Sequence, residues 1–167
     1  ESSKRGPPPK GRPLSIAKEP PASLDKSVAR VGRENSAGVI PASFLKDPSD
    51  PAWKDDPAMK DWFAFMDKYH QVESTNNSAA VYGYAAAEAL TQVLKQCGDD
   101  LSRENIMRQA ASLRGHQPSV ALPNIRMNTS PNNYLPIRQM RLVQFDGRSW
   151  QPFGEVIETA FTEGAAR

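Results

Sequence analysis

The sequence predicts an α/β fold, and one that represents only part of a larger α/β protein. Two observations lead there. The run "GVIPASFL" (residues 38–45) reads as a single strand followed by three amphipathic helices with no strand between them, and "QMRLVQFDGRSWQPF" then closes the pattern as a hairpin. An α/β layer needs several parallel strands, and this chain offers about one before its helices. The elements therefore read as excerpts from a fold whose sheets lie mostly elsewhere. A third observation sets the start of the chain apart: residues 1–22 carry no pattern of folded structure at all.

That first segment, "ESSKRGPPPKGRPLSIAKEPPA", is rich in Pro, Ser, Lys and Arg, with Leu14 and Ile16 as its larger apolar residues. It cannot bury enough surface to offset chain entropy and reads as a disordered, basic, Pro-rich arm. Residues 1–35 hold eight Lys/Arg against four Asp/Glu, so the net charge of +2 originates in this segment. A basic arm can bind nucleic acid or anionic lipid, and a Pro-rich one can serve an adaptor domain. Without aromatic residues for stacking or amphipathic spacing, the arm reads instead as a solvated tail.

Gly38 opens the strand, with Pro41 at an irregular or edge position. Residues 46–56 form a polar loop punctuated by Pro48 and Pro51. Asp56-Pro57 starts a helix, because Asp caps it and Pro at the first position loses no hydrogen bond. Met59, Trp62, Phe63, Met66 and Tyr69 then make one apolar stripe, predicting a core-facing helix. A second helix is predicted over residues 79–96, with Val81, Tyr84, Ala85, Leu90, Val93, Leu94 and Cys97 on its stripe and Gly98 as its cap. The third starts at Ser102, carries Glu104 in its first turn, buries Ile106, Ala110 and Leu113, and stops at Gly115. Residues 117–136 contain four prolines and form a long irregular connection. In the hairpin, Asp146-Gly147 is the tight-turn pair and "RSWQPF" the returning strand. The organisation is thus an arm over 1–22, a folded part over 23–158 and a tail over 159–167.

No chemistry-bearing constellation emerges. His70 and His116 have no ligand-spaced partner. Asp47, Asp50, Asp55 and Asp56 lack the central Gly and terminal Glu of a calcium loop, so capping and solvation explain them better. Ser43, Ser130 and Cys97 have no base pattern nearby, and no glycine-rich phosphate loop or nucleophile elbow is present. Cys97 lies on an apolar helix face, where an inert buried thiol is expected. The single cysteine excludes an internal disulfide, and no apolar run reaches the ~20 residues of a membrane span. The reading is not an enzyme: no catalytic residues, no metal and no cofactor.

The stretches "GVIPASFLKDPSDPAWKDDPAMKDWFAFMDKY", "NSAAVYGYAAAEALTQVLKQCGDDLSRENIMRQAASL" and "LPNIRMNTSPNNYLPIRQMRLVQFDGRSWQPFGEVI" resemble the C-terminal part of substrate-binding proteins of bacterial ABC transporters. The group is the branched-chain amino acid (Leu/Ile/Val-binding) family, with the two-lobe type I periplasmic-binding fold. The resemblance runs in order over residues 23–157 and leaves out residues 1–22.

It implies that the chain contributes to both lobes. Residues 38–45 would be a second-lobe strand, "KDPSDPAWKDD" a crossing, and the three helices would pack on the first lobe's sheet. The hairpin would return to the second lobe. The implied function is capture of a small amino acid or organic acid in the interlobe cleft and delivery to a membrane permease, in the periplasm, with no nucleic acid involved. The alternative is a ligand-sensing domain of a regulator or receptor with the same fold. Members of the family that bind amino acids commonly place a Glu just before the Gly of this strand, where this chain has Ala37. An ammonium buried there without a carboxylate is costly. Either Glu34 or another residue compensates, or the ligand has no α-amino group, as in an aromatic or aliphatic acid. Ser36, Ala37 and Tyr82 are the implied ligand contacts.

Overall fold

The computed structural model describes residues 32–33, 35–69 and 78–159. The basic arm, residues 23–31 of the expected folded part, Glu34, His70, residues 71–77 and the tail beyond Thr159 lie outside the described residues. Two units make up the rest: an antiparallel sheet of three strands and a group of three helices.

The sheet begins with a turn in which Ser36 Oγ donates to the Gly32 carbonyl at 3.1 Å. Gly38 follows with φ of +91°, a conformation that an L side chain strains. From there the chain runs beside β2 (Gln139–Phe145): Gly38 N–H donates to Phe145 O, Phe145 N–H to Val39 O and Val143 N–H to Pro41 O. Only Ala42–Ser43 forms a regular strand, β1, paired with Leu142 and Arg141. The predicted eight-residue strand is shortened because Pro41 has no N–H to give the ladder. Beyond Ser43 the segment also changes partner. Leu122 N–H donates to Phe44 O at 2.9 Å and Lys46 N–H to Val120 O at 3.0 Å, so residues 44–46 pair with the chain returning from the helices.

The Asp-rich loop is a series of caps. Asp47 Oδ1 accepts from Ser49 N–H, and Asp50 Oδ1 accepts from Ala52 N–H to start a 3-10 turn, Pro51–Trp53. Asp56 Oδ1 accepts from Met59 N–H at 3.0 Å and caps α1 (Pro57–Tyr69), as predicted. Met59, Trp62 and Met66 are buried and Phe63 is half-buried. Tyr69 departs from the predicted stripe, being 64 % exposed. At the last turn it has passed the core and lies on Phe65, with ring centres 5.0 Å apart.

Helix α2 (Ser78–Cys97) serves two clusters. Its first half sets Val81 and Ala85 against Met59, Trp62, Met66 and Val120. Its second half sets Val93 and Cys97 against Leu113, Ile106 and Ala110. Gly98 takes φ of +59° after the last residue, as a C-terminal cap requires. Leu90 and Leu94, expected on the stripe, are 56 % and 39 % exposed. Helix α3 (Arg103–Ala110) has Ser102 as its cap, accepting from Asn105 N–H. It ends before the predicted Gly115 because Thr129 intervenes: its Oγ1 donates to Ala110 O at 2.6 Å and accepts from Leu113 N–H at 2.9 Å. Leu113 remains in the core from a loop position.

The irregular return ties to α2 where Ser119 N–H donates to Glu88 Oε2 at 2.9 Å. It then leads to β2 and β3 (Trp150–Glu158). Phe145 pairs with Trp150, so the hairpin loop is residues 146–149, longer than the predicted two-residue turn. Asp146 Oδ1 holds it by accepting from the N–H groups of Arg148 and Ser149. The returning strand is displaced accordingly, and it bulges at Gly154, where φ is +67° and the register shifts opposite Arg141 and Leu142. Val143, Phe145 and Trp150 form the sheet's core with Val39 packed on them. Among the described residues the helices pack on one another and on the return segment rather than on a sheet.

Candidate ligand cavity at the crossing

The outbound and returning segments run side by side between the two units, and a cavity of about 260 Å³ opens beside them. Its walls come from four segments: Phe44 and Trp53 from the outbound segment, Tyr82 from α2, Leu122 from the return, and Val143 and Trp150 from the hairpin. The lining is apolar in the main, with Ser43, Lys46, Asp47 and Ser78 as its polar members. A concave apolar site with few polar groups suits a small ligand.

Lys46 organises the polar wall. It is 7 % exposed, and its Nζ donates to Asp56 Oδ1 at 2.8 Å and to Ser119 O at 3.0 Å. The ammonium also lies 5.4 Å from the centre of the Trp53 ring, a cation–π contact. Burial pushes the Asp56 carboxyl up, but the bonds from Lys46 and from the first N–H groups of α1 outweigh it, and the net position is below the ordinary value. Asp47 faces the other way, its Oδ2 accepting from Trp150 N–H at 3.3 Å.

Of the residues that sequence reasoning singled out, Tyr82 lines this cavity. The residue is 58 % exposed, and its ring meets Phe44 edge-on, with centres 6.2 Å apart. Tyr82 and Phe44 also border a second groove of about 320 Å³ along α2, between Ala85, Leu90, Leu113, Met127 and Ile137. Ser36 and Ala37 are elsewhere. Ser36 is buried in the turn that precedes the sheet, Ala37 is exposed beside it, and neither lines the cavity. Lys46, Trp53 and Trp150 were not anticipated. A lysine closing the apolar run "VIPASFL", ten residues before a capping Asp, was the signal available for the first of them.

Among the described residues no group of three His, Cys, Asp or Glu side chains is placed to hold a metal ion. Cys97 is buried. No described helix is long and apolar enough to cross a membrane.

No protein-family model and no curated protein sequence matches the chain. Solved structures do. A branched-chain amino acid ABC transporter from Thermus thermophilus, with bound valine, superposes with a TM-score of 0.55 at 16 % identity, over 83 % of this chain and 43 % of that one. A possible leucine/isoleucine/valine-binding protein from Rhodopirellula baltica SH 1 gives a TM-score of 0.55 at 13 % identity, over 78 % of this chain and 33 % of that one. The chain therefore spans less than half the length of either structure. Its fold is that of part of a type I periplasmic-binding protein, a mixed helix-and-sheet architecture in which chain segments cross between two units.

Proposed function

We propose that the chain is the C-terminal part of a solute-binding protein of an ABC-type importer, which captures a small amino acid or organic acid between two lobes and hands it to a membrane permease. The sheet unit would belong to the second lobe and the helices to the first, with residues 23–158 as the folded part, 1–22 as an arm and 159–167 as a tail. The intact protein would work in the periplasm, and no bond is made or broken. The observation that carries this reading is the cavity at the crossing, walled by side chains from both units. A ligand that touches both sides favours the closed arrangement over the open one, and capture follows.

Tyr82 is the ligand contact best supported by position, since it stands at the first turns of α2 on the cavity wall. Ser36 and Ala37 enter the proposal from the sheet side, as an edge that meets the ligand in the intact protein. Nearly apolar walls and Ala37 in the place of a carboxylate favour an aromatic or aliphatic acid over a free α-amino acid. In the intact protein, Tyr82→Ala should weaken binding of that acid by about tenfold, the effect of one lost aromatic contact of ~1.4 kcal/mol. Calorimetric titration measures it. Unchanged affinity would remove Tyr82 from the site.

A further inference from the structure

Helices α1 and α2 leave an aromatic groove that shares no wall residue with the crossing cavity. Three small residues of α2, Ala80, Gly83 and Ala87, lie along it, and Phe65, Tyr69 and Tyr84 supply its rings. It holds about 310 Å³ and adjoins a second groove of about 400 Å³, with Phe65, Tyr84 and Ala87 common to both. Phe65 stands edge-on to Tyr84 with ring centres 5.3 Å apart, and 5.0 Å from Tyr69. The rings form a ridge open to solvent, Phe65 being 43 % exposed.

Gly83 is the residue that the fold leaves unexplained. It lies in the interior of α2, where glycine weakens a helix relative to alanine. A Cβ there would meet no atom within 4 Å, and its φ is not positive, so neither packing nor backbone calls for glycine. Bare backbone beside aromatic rings lets another chain approach closely. The surface is also suited to cations. Lys68 Nζ already lies 4.9 Å from the centre of the Tyr69 ring. Burial lifts the Tyr84 phenol above its ordinary value, and the negative charges of Glu88 and Asp61 lift it further. Lys95 lines only the far part of the second groove, beyond Glu88 on the helix.

The chain carries a segment of matching chemistry. Residues 4–12, "KRGPPPKGR", place Lys4 and Arg5 before three prolines and Lys10 and Arg12 after them, with no acid between. A proline run has φ already fixed and extends with three residues per turn and about 3.1 Å per residue, the shape that aromatic-lined grooves accept. Pro9 precedes Gly32, the first described residue, by 23 positions. That length reaches at most about 76 Å, against roughly 40 Å for the width of a protein of this size. We propose that the groove is a docking site for the chain's own proline run, Pro7-Pro8-Pro9, with the flanking cations set toward Asp61 and Glu88. Residues 1–22 then have a seat on the helical unit, in place of the solvated tail that composition alone suggests. The seat is separate from solute capture and stands whether or not a solute binds.

The test compares amide ¹H–¹⁵N spectra of the 167-residue chain with those of a variant carrying Pro7→Ser, Pro8→Ser and Pro9→Ser. Shifts should change at Phe65, Tyr69, Ala80, Gly83, Tyr84 and Ala87, and hold at Val143 and Phe145 in the sheet. An added peptide of residues 1–16 should restore them in the serine variant with half-saturation on the order of a millimolar, the concentration at which a tethered segment meets its site. Gly83→Leu fills the groove with a better helix former. Added to the serine variant, it should weaken the peptide about tenfold, the worth of one ring contact, without lowering the melting temperature. Spectra of parent and serine variant that coincide over the groove overturn the proposal. So does a peptide affinity unchanged by Gly83→Leu, which would place the contact elsewhere. Groove shifts in the parent that vanish on dilution also overturn it, because the occupant would then be a second copy.

Discussion

The helical unit and the sheet unit solve the burial problem differently. In the helices, Met59, Trp62 and Val81 are fully buried, and they meet Val120 arriving from the return segment. The sheet has a thinner core, in which Val143, Phe145 and Trp150 cover one another on one face. Helix α2 nevertheless keeps Tyr82, Leu90 and Leu94 turned out, and the hairpin keeps Phe153 and Ile157 out. A helix that is apolar on more than one side is built to lie between two layers. The contrast teaches that, among the described residues, α2 has one apolar face covered by a full core while the small sheet covers one face with a thinner one.

The largest effect expected from breaking this contrast is in the helical core. Trp62→Ala should destabilise the chain by roughly 3–5 kcal/mol, the cost of emptying a fully buried aromatic site. Trp150→Ala should fall at the low end, about 3 kcal/mol, because the thinner sheet core can close over the gap more easily. Paired thermal melts decide the order. If Trp150→Ala were the more damaging, the sheet would be the better-packed unit.

A smaller effect lies at the ion pair. Asp56→Asn keeps an oxygen for the α1 cap but removes the charge facing Lys46, and should cost about 1.5–3 kcal/mol at neutral pH, the worth of a hydrogen bond to a charged group. The sign of its pH dependence follows from the lowered carboxyl. A group whose folded position lies below its unfolded one stabilises above the unfolded value, here 3.8, and loses that contribution as pH falls through the folded one. The stability gap between parent and Asp56→Asn should therefore be full above that pH and shrink below it. Denaturant titrations across an acid series measure the gap. A gap that stays constant into strong acid would show that the charge on Asp56 contributes nothing.

The smallest effect is expected on the outer side of α2. Leu90→Gln should stay within about ±0.5 kcal/mol, because the side chain is more than half exposed. A clear loss in denaturant unfolding would mean that this side is covered in solution.

What the sequence could and could not convey divides along the range of the interactions. Asp56-Pro57, Gly98 and Ser102 mark helix ends through their own backbone neighbours, and all three were legible. The end of α3 was not, because it depends on Thr129, a residue 19 positions from the Ala110 carbonyl that it caps. Tyr69 and Leu94 have the right periodicity, but nothing in a stripe says where the partner stops. The four-residue hairpin loop was missed because Asp146-Gly147 has the composition of a two-residue turn, and the carboxylate instead gathers Arg148 and Ser149. At the candidate cavity, Tyr82 entered through the family resemblance, and the structure places it on the wall. The cavity was not, since Lys46 meets Ser119 across 73 positions and Asp47 meets Trp150 across 103.

The proposal that two lobes share one ligand site is tested most directly by titrating two proteins against the same panel of amino acids and aromatic and aliphatic acids. One is this 167-residue chain; the other is the longer two-lobe protein that the proposal implies, with the lobe portions it would add. Losing even two charge-assisted hydrogen bonds, at about 1.5–3 kcal/mol each, weakens a micromolar binder roughly a hundredfold or more. The predicted result is no binding tighter than about millimolar for the chain and a near-micromolar isotherm for the intact protein. A micromolar isotherm from the 167-residue chain alone would contradict the account.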